Sequence, residues 1–314
     1  MIERFNFYDV YGFFIPGAFL IALLYLPHVL VGGPLPEGDL SAALIAIVAA
    51  YVVGHVLQIV AQKVLPSSDR VGQEYRPPSD QLLDAKVSRF LPQFREELRT
   101  MIIARFGIDV ALPENRETAF FLCRNSVITA KTSSYVEQFE GMYTLMRGIS
   151  AAAAVGCAYV LGWLAGPFFP ADVRIVYGVL AAAGAFVLFQ FRLAFKAKER
   201  ATRIAFGASF LLAVFCVGMI VSMGVNGVTG RVGALLASAA LAFLAAVWAH
   251  GSYHMFTWSW AQTVYRDFYL SQPVPKRQRP ETSRDERSDP PQHLPRYREP
   301  RHASRSCLQS LCPR

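Results

Sequence analysis

Four polar side chains in the second apolar segment of the chain recur at helical spacing. Tyr51, His55, Gln58 and Gln62 stand at positions i, i+4, i+7 and i+11, so a helix places them on one face. Hydrocarbon cannot satisfy such groups, and ionisable side chains within a span often mark ion or proton pathways. This polar stripe predicts an interhelical hydrogen-bond seam, which we favour, or alternatively a transport pathway or an active site.

Two further histidines, His250 and His254, lie four residues apart at the end of the last apolar segment. Together with His55 they would form a cluster of three imidazoles, which suits a divalent metal ion or a proton relay. No carboxylate accompanies the pair, and the neighbouring Trp258 and Trp260 favour an interfacial aromatic belt instead. We therefore predict no bound metal and no cofactor, and we assign no catalytic residue.

An intramembrane enzyme, whether metal- or serine-dependent, is the least favoured function. Ser209 lies in an apolar segment, but its Gly-Ala-Ser-Phe surroundings lack the sharp G-x-S-x-G turn that exposes a nucleophile. The long polar stretch 62–147 contains no P-loop, no dinucleotide-binding glycine motif and no H-E-x-x-H zinc motif. These features favour a non-enzymatic protein.

The composition of the chain points to a membrane. Of its 314 residues, 53% are hydrophobic and only 17% are charged, whereas soluble domains carry roughly a quarter charged residues. About 20 apolar residues cross a bilayer as a helix, and six segments reach that length. The predicted spans are residues 11–31, 40–61, 148–168, 173–193, 204–224 and 231–251.

The basic residues alternate between the segments that join these spans. Residues 32–39 and 225–230 contain no Lys or Arg, whereas 62–147 contain twelve and 192–203 contain five. We therefore expect a multi-pass protein of the inner (plasma) membrane. The positive-inside rule places both termini and the 62–147 segment on its cytoplasmic side. The net charge of +8 then reflects topology and requires no nucleic-acid partner.

Four of these basic residues fall on one helical face after the predicted fourth span. Arg192, Lys196, Arg200 and Arg203 stand at i, i+4, i+8 and i+11. The simplest interpretation is a charge that retains this segment at the inner surface. A sharper interpretation is contact with anionic lipid headgroups.

The 62–147 segment predicts a small helical domain. One amphipathic helix is expected from Ser79 or Asp80 to Gly107, bent or divided at Pro92, and a second across 114–129 with Phe120, Phe121 and Val127 in its core. A third helix should begin after Ser134 and run straight into the third span. Residues 258–270 predict an amphipathic helix leaving the membrane, and 271–314, rich in Pro and Arg, predict a disordered tail.

The sequence therefore predicts an all-α bundle of six transmembrane spans. Its parts are spans 1 and 2 (1–61), the cytoplasmic helical insert (62–147), spans 3–6 with the juxtamembrane helix (148–270) and the tail (271–314). We expect a membrane-anchored component that meets a cytoplasmic protein partner or signal through the insert. A small transporter or channel using Tyr51, His55 and Gln58 is the main alternative. Spans rich in Ala and Gly also suit association of two or more copies of the chain.

Overall fold

The computed structural model describes residues 9–34, 38–65, 69–71, 74–131, 135–170, 172–173, 175–181, 183–184, 200–222 and 231–272. Two compact units divide the chain, Met1–Gln272 and Pro273–Arg314, and the second lies outside the described residues. The predicted disordered tail at 271–314 therefore lies outside them as well, apart from its first two residues.

The described residues are almost entirely helical. Their helices are α1 (Ile15–Leu30), α2 (Leu40–Val64), α3 (Pro78–Leu83), α4 (Pro92–Phe106), α5 (Pro113–Thr129), α6 (Tyr135–Ala165), α7 (Arg200–Val221) and α8 (Val232–Ser271). A π-helical turn, Val10–Phe14, leads into α1, and a 3₁₀ turn, Gly166–Phe168, follows α6. The sheet in this part of the chain is a short antiparallel hairpin of β1 (Asp69–Val71) and β2 (Glu74–Arg76).

Among the described residues, five helices are long and apolar enough to cross a membrane. They are Val10–Leu30, Leu40–Val64, Tyr135–Phe168, Ile204–Val221 and Val232–Ser271. They coincide with five of the six predicted spans, so the all-α fold class is confirmed. The count of six spans is not confirmed. The described residues of the fourth predicted span are helical up to residue 184, and its remainder lies outside the described ranges.

The boundaries of the helices follow local chemistry. The Asp39 carboxylate caps α2 by accepting the amide of Ala42 at 2.6 Å. Pro92 opens α4, and Gly107 closes it with a φ of 69° in the left-handed region. The predicted helix is divided, but α3 already ends at Leu83, so residues 84–91 are not helical. Pro113 opens α5, as the sequence predicts.

A small helical domain forms at one end of the bundle from α3, α4, α5, the first turns of α6 and the last turns of α8. Its core contains the buried apolar residues Leu82, Leu98, Ile102, Phe120, Cys123, Val127 and Val136 together with Ala261, Val264, Tyr265 and Phe268 of α8. Phe121, predicted to be a core residue, is instead 46% exposed, because the buried face of α5 runs through its neighbour Phe120.

The end of α8 has a packing role that the sequence did not predict. Residues 258–270 are helical, as predicted. They continue α8 without a break, and their apolar face packs inside the helical domain, where Tyr265 and Phe268 have no exposed surface. By contrast, the expected continuous helix from the domain into the third span is present as α6. These two helices pack extensively on each other and join the domain to the bundle.

Candidate functional site: the junction between bundle and domain

The polar stripe of α2 meets α6 and the π-turn where the bundle joins the helical domain. Gln58 is the centre of this junction and is 2% exposed. Its Nε2 donates to the carbonyl of Gly12 at 2.7 Å and to that of Thr144 at 2.9 Å. Its Oε1 accepts from Nε of Arg147 at 3.1 Å. One amide side chain therefore links three segments that are distant in the sequence.

Proline explains why the carbonyl of Gly12 needs this donor. In a regular helix that oxygen accepts the amide of residue 16, but Pro16 has no N–H. The backbone widens into the π-turn just before Pro16, and Gln58 supplies a donor from the neighbouring helix. The helix thus accommodates Pro16 by a π-turn with an interhelical hydrogen bond.

Glycines let the backbones approach closely enough for this bond. A Cβ on Gly17 would collide with the carbonyl of Ala50, and one on Gly54 would collide with the carbonyl of Phe13. A Cβ on Gly148 would lie 2.6 Å from Nε2 of Gln58. Small residues at such positions are the usual device for close packing of membrane helices.

The other members of the stripe separate into two environments. The His55 ring stacks on Phe13 with centroids 3.8 Å apart, and its Nδ1 lies 3.0 Å from the carbonyl of Tyr51 in the same helix. Tyr51 contacts Phe13 edge-on. Gln62, in contrast, is exposed. Gln58 therefore makes interhelical hydrogen bonds, while Tyr51 and His55 contact Phe13 through their rings.

Arg147 is the functional candidate that the sequence analysis missed. It lies at the start of the apolar part of α6, and only 6% of its surface is exposed. Its guanidinium lies 5.7 Å from the centroid of the Tyr143 ring. A lone arginine directly before an apolar run is a signal that could have singled it out, because such a charge is costly to bury.

A small cavity of about 70 Å³ adjoins Arg147 where the domain meets the bundle. Tyr143, Ser79, Thr257 and Trp260 line it as well. The cavity therefore lies between α6, α8 and the segment that leads into α3.

The proposed histidine cluster is not assembled as a metal centre. His250 and His254 lie with ring centroids 4.8 Å apart, while His55 stacks on Phe13. Across the residues that the structure describes, no three His, Cys, Asp or Glu side chains are grouped in a way that could hold a metal ion. The three imidazoles therefore do not form a common site.

The predicted lipid-contact face at the end of the fourth span lies beyond the structural description. Arg192 and Lys196 are outside the described residues, and Arg200 and Arg203 are described only as part of α7, without their side chains. That assignment stays a prediction.

The helical domain has an open groove of about 790 Å³ on the side formed by α8 and the starts of α4 and α6. The groove combines aromatic rings with polar groups. Its lining residues are Phe90, Phe94, Tyr135, Phe139, Ser259, Gln262, Thr263 and Arg266. Arg266 is largely exposed and pairs with Asp267 at 3.3 Å. The groove offers apolar surface next to a positive charge.

Ion pairs stabilise the fold of the domain away from this groove. Arg116 contacts Asp80 at 2.9 Å and Asp84 at 3.5 Å, and Arg76 contacts Asp84 at 2.8 Å. The hydrogen bond from the Lys86 amide, followed by the charges of Arg116 and Arg76, lowers the pKa of Asp84.

Cys123 does not have the environment of a reactive thiol. It is completely buried in the domain core, and burial raises the pKa of its thiol. The adjacent Arg124 does not activate it, because its guanidinium pairs with Glu140 at 2.6 Å.

Comparison with known proteins adds no relative. The chain matches no family model, no curated protein and no solved structure.

Proposed function

We propose that this protein is a non-enzymatic component of the inner membrane that binds a cytoplasmic protein through its helical domain. The bilayer holds its apolar helices, and the Lys and Arg distribution supports a cytoplasmic position for the domain. The domain would either anchor its partner at the membrane or pass the binding event to the bundle.

The shared core of domain and bundle helices is the observation that carries this proposal. A domain that only had to be tethered to the membrane could be joined to the bundle by a flexible linker. Here α8 supplies Tyr265 and Phe268 to the domain core, and α6 enters the bundle without a break. The domain is therefore held rigidly by two long helices, as expected for a part that bears load or transmits a displacement.

The groove on the domain is the partner surface in this proposal. Its aromatic rings, including Phe90 and Phe94, suit apolar anchor side chains of a protein segment. Arg266 at its edge favours a segment that carries a carboxylate near those anchors. The transporter alternative has less support, since the amide of Gln58 is already engaged on all sides by protein groups.

Photo-crosslinking in intact membranes tests the partner surface. A photoreactive amino acid at Gln262 within the groove should yield one discrete protein adduct. The same amino acid at Phe121, an exposed apolar position of the domain outside the groove, should not yield it. Arg266→Glu should weaken the adduct formed at Gln262. Equal adducts from both positions, or no protein adduct at Gln262, would contradict the proposal.

A further inference from the structure

Among the residues that the structure describes, no carboxylate pairs with the buried positive charge of Arg147. In the part of the chain that the structure describes, its one hydrogen bond is from Nε to the neutral amide oxygen of Gln58. None of the ion pairs there includes it. An arginine side chain keeps its charge in proteins, and an unpaired buried charge is strongly destabilising. Within the described ranges, the charge of Arg147 therefore faces a neutral amide and the Tyr143 ring and no acidic group.

The cavity beside Arg147 provides space for an anion. It measures about 70 Å³, and by this measure one water molecule needs roughly 10–15 Å³. The space therefore holds several waters or one small anionic group. Arg147 lines this cavity, and its two Nη groups are without a hydrogen-bond acceptor among the described residues.

The surroundings of the cavity contain more donors than acceptors. The indole Nε1 of Trp260, another lining residue, is buried and has no hydrogen-bond partner within the described ranges. Asp80 directly follows the lining residue Ser79 in the sequence, but its carboxylate already pairs with Arg116 at 2.9 Å. The charge of Arg147 thus remains available to a ligand that accepts hydrogen bonds.

The position of Arg147 narrows the chemistry of that ligand. Arg147 directly precedes the apolar part of α6, so in a membrane-spanning α6 it would lie near the level of the lipid phosphates. The planar guanidinium matches phosphate oxygens in a bidentate geometry, and water exclusion strengthens such a contact.

We propose that this cavity binds a phosphate group and that Arg147 is its charge partner. The phosphate belongs either to a lipid headgroup or to a soluble compound. The site is distinct from the groove of the domain and does not depend on the partner proposed there.

Thermal unfolding of the full-length protein in neutral detergent tests the site. Two probes are titrated separately at constant ionic strength, short-chain phosphatidic acid and inorganic phosphate. Binding to the folded state raises Tm with ligand concentration. A rise with phosphatidic acid alone identifies a lipid source, and a rise with both identifies a site open to free phosphate. A neutral diacylglycerol of the same chain length controls for non-specific lipid effects.

Two variants at the cavity and one matched control complete the test. Arg147→Gln should weaken binding by about ten-fold or more, the equivalent of one charge-assisted hydrogen bond. Ala261→Val narrows the cavity without changing its charge and should weaken binding as well. Arg105→Gln removes an exposed arginine from α4 and should leave binding unchanged. Absence of any ligand-dependent Tm rise in the wild-type protein, beyond that with diacylglycerol, overturns the proposal. Unchanged affinity in Arg147→Gln overturns it too.

Discussion

Arg147 and Gln58 lie 89 residues apart in the sequence, and the guanidinium Nε of the first donates to the side-chain oxygen of the second at 3.1 Å. This contact joins α6 to α2 at the depth where the bundle meets the helical domain. Because Gln58 also binds the carbonyl of Gly12, the same amide fixes the start of the first apolar helix. The position of the domain and the packing of the bundle are therefore linked through the side chains of Arg147 and Gln58.

Replacement of Gln58 tests the structural role of this contact. Gln58→Leu removes the partner of a buried guanidinium and the donor to Gly12. We expect a loss of about 2–4 kcal/mol in stability, since unsatisfied buried groups cost roughly 1–3 kcal/mol and charged groups more. Thermal unfolding in detergent measures it as a lower Tm. Gln62→Leu, one turn along the same helix at an exposed position, serves as the control and should leave Tm nearly unchanged. Equal Tm values for the two variants would show that the seam contributes little.

The contact between α2 and the π-turn predicts a strict requirement for glycine at position 54. Gly54→Ala places a methyl group against the carbonyl of Phe13, a backbone atom that cannot rotate away. The helices must separate, and overpacking of this kind costs about 1–3 kcal/mol. Thermal unfolding in detergent should therefore give a lower Tm for Gly54→Ala than for the wild-type protein.

The matched control for this substitution lies in α8. A Cβ on Gly251 meets nothing within 4 Å. Gly251→Ala should therefore keep or raise Tm, because alanine stabilises a helix by up to about 1 kcal/mol relative to glycine. If Gly54→Ala raised Tm as Gly251→Ala does, close backbone packing at Phe13 would be disproved.

Sequence patterns predicted the features that depend on neighbouring residues along the chain. Apolar runs marked the five membrane-length helices, and Pro92, Gly107 and Pro113 marked helix boundaries in the domain. Helical periodicity also placed Tyr51, His55 and Gln58 together. Periodicity could not show that Gln62 is exposed while its neighbour Ala61 is buried, because burial along α2 depends on which helices pack against it.

Features that depend on distant segments were not predictable in this way. The role of Arg147 follows from the approach of Gln58, which requires α2 and α6 to be neighbours. The burial of residues 258–270 follows from the docking of the 62–147 segment on α8, since hydropathy alone makes this stretch an amphipathic surface helix. Whether His55 approaches His250 and His254 could not be predicted for the same reason, because spacing on separate helices carries no information on distance.

The contribution of α8 to the domain predicts that the domain cannot fold without it. Phe268→Ala removes a fully buried ring and should cost about 3–5 kcal/mol. Hydrogen exchange should then accelerate throughout α4 and α5, although neither helix is mutated. Leu270→Ala changes a residue that is 71% exposed in the same turn, and exchange should stay at the wild-type rate. Acceleration confined to the end of α8 would mean that the domain core is independent of it.

Asp84, which pairs with two arginines of the domain, predicts a characteristic dependence of stability on pH. The pKa of Asp84 is lowered in the folded state by the Lys86 amide and by Arg116 and Arg76. Its stabilising contribution is complete above the unfolded-state pKa of about 3.9 and disappears as pH falls through the lower folded-state value. Asp84→Asn should therefore be less stable than wild type at neutral pH, by about 1–3 kcal/mol. This gap should close as the pH falls below the unfolded-state pKa. Tryptophan fluorescence during urea unfolding at each pH measures the gap, because Trp258 and Trp260 pack against the domain core.

Glu117→Gln removes an exposed carboxylate of the same domain and should give no such pH-dependent gap. A gap for Asp84→Asn that stays constant from neutral to acidic pH would refute the assignment of this carboxylate as an ionised partner of the two arginines.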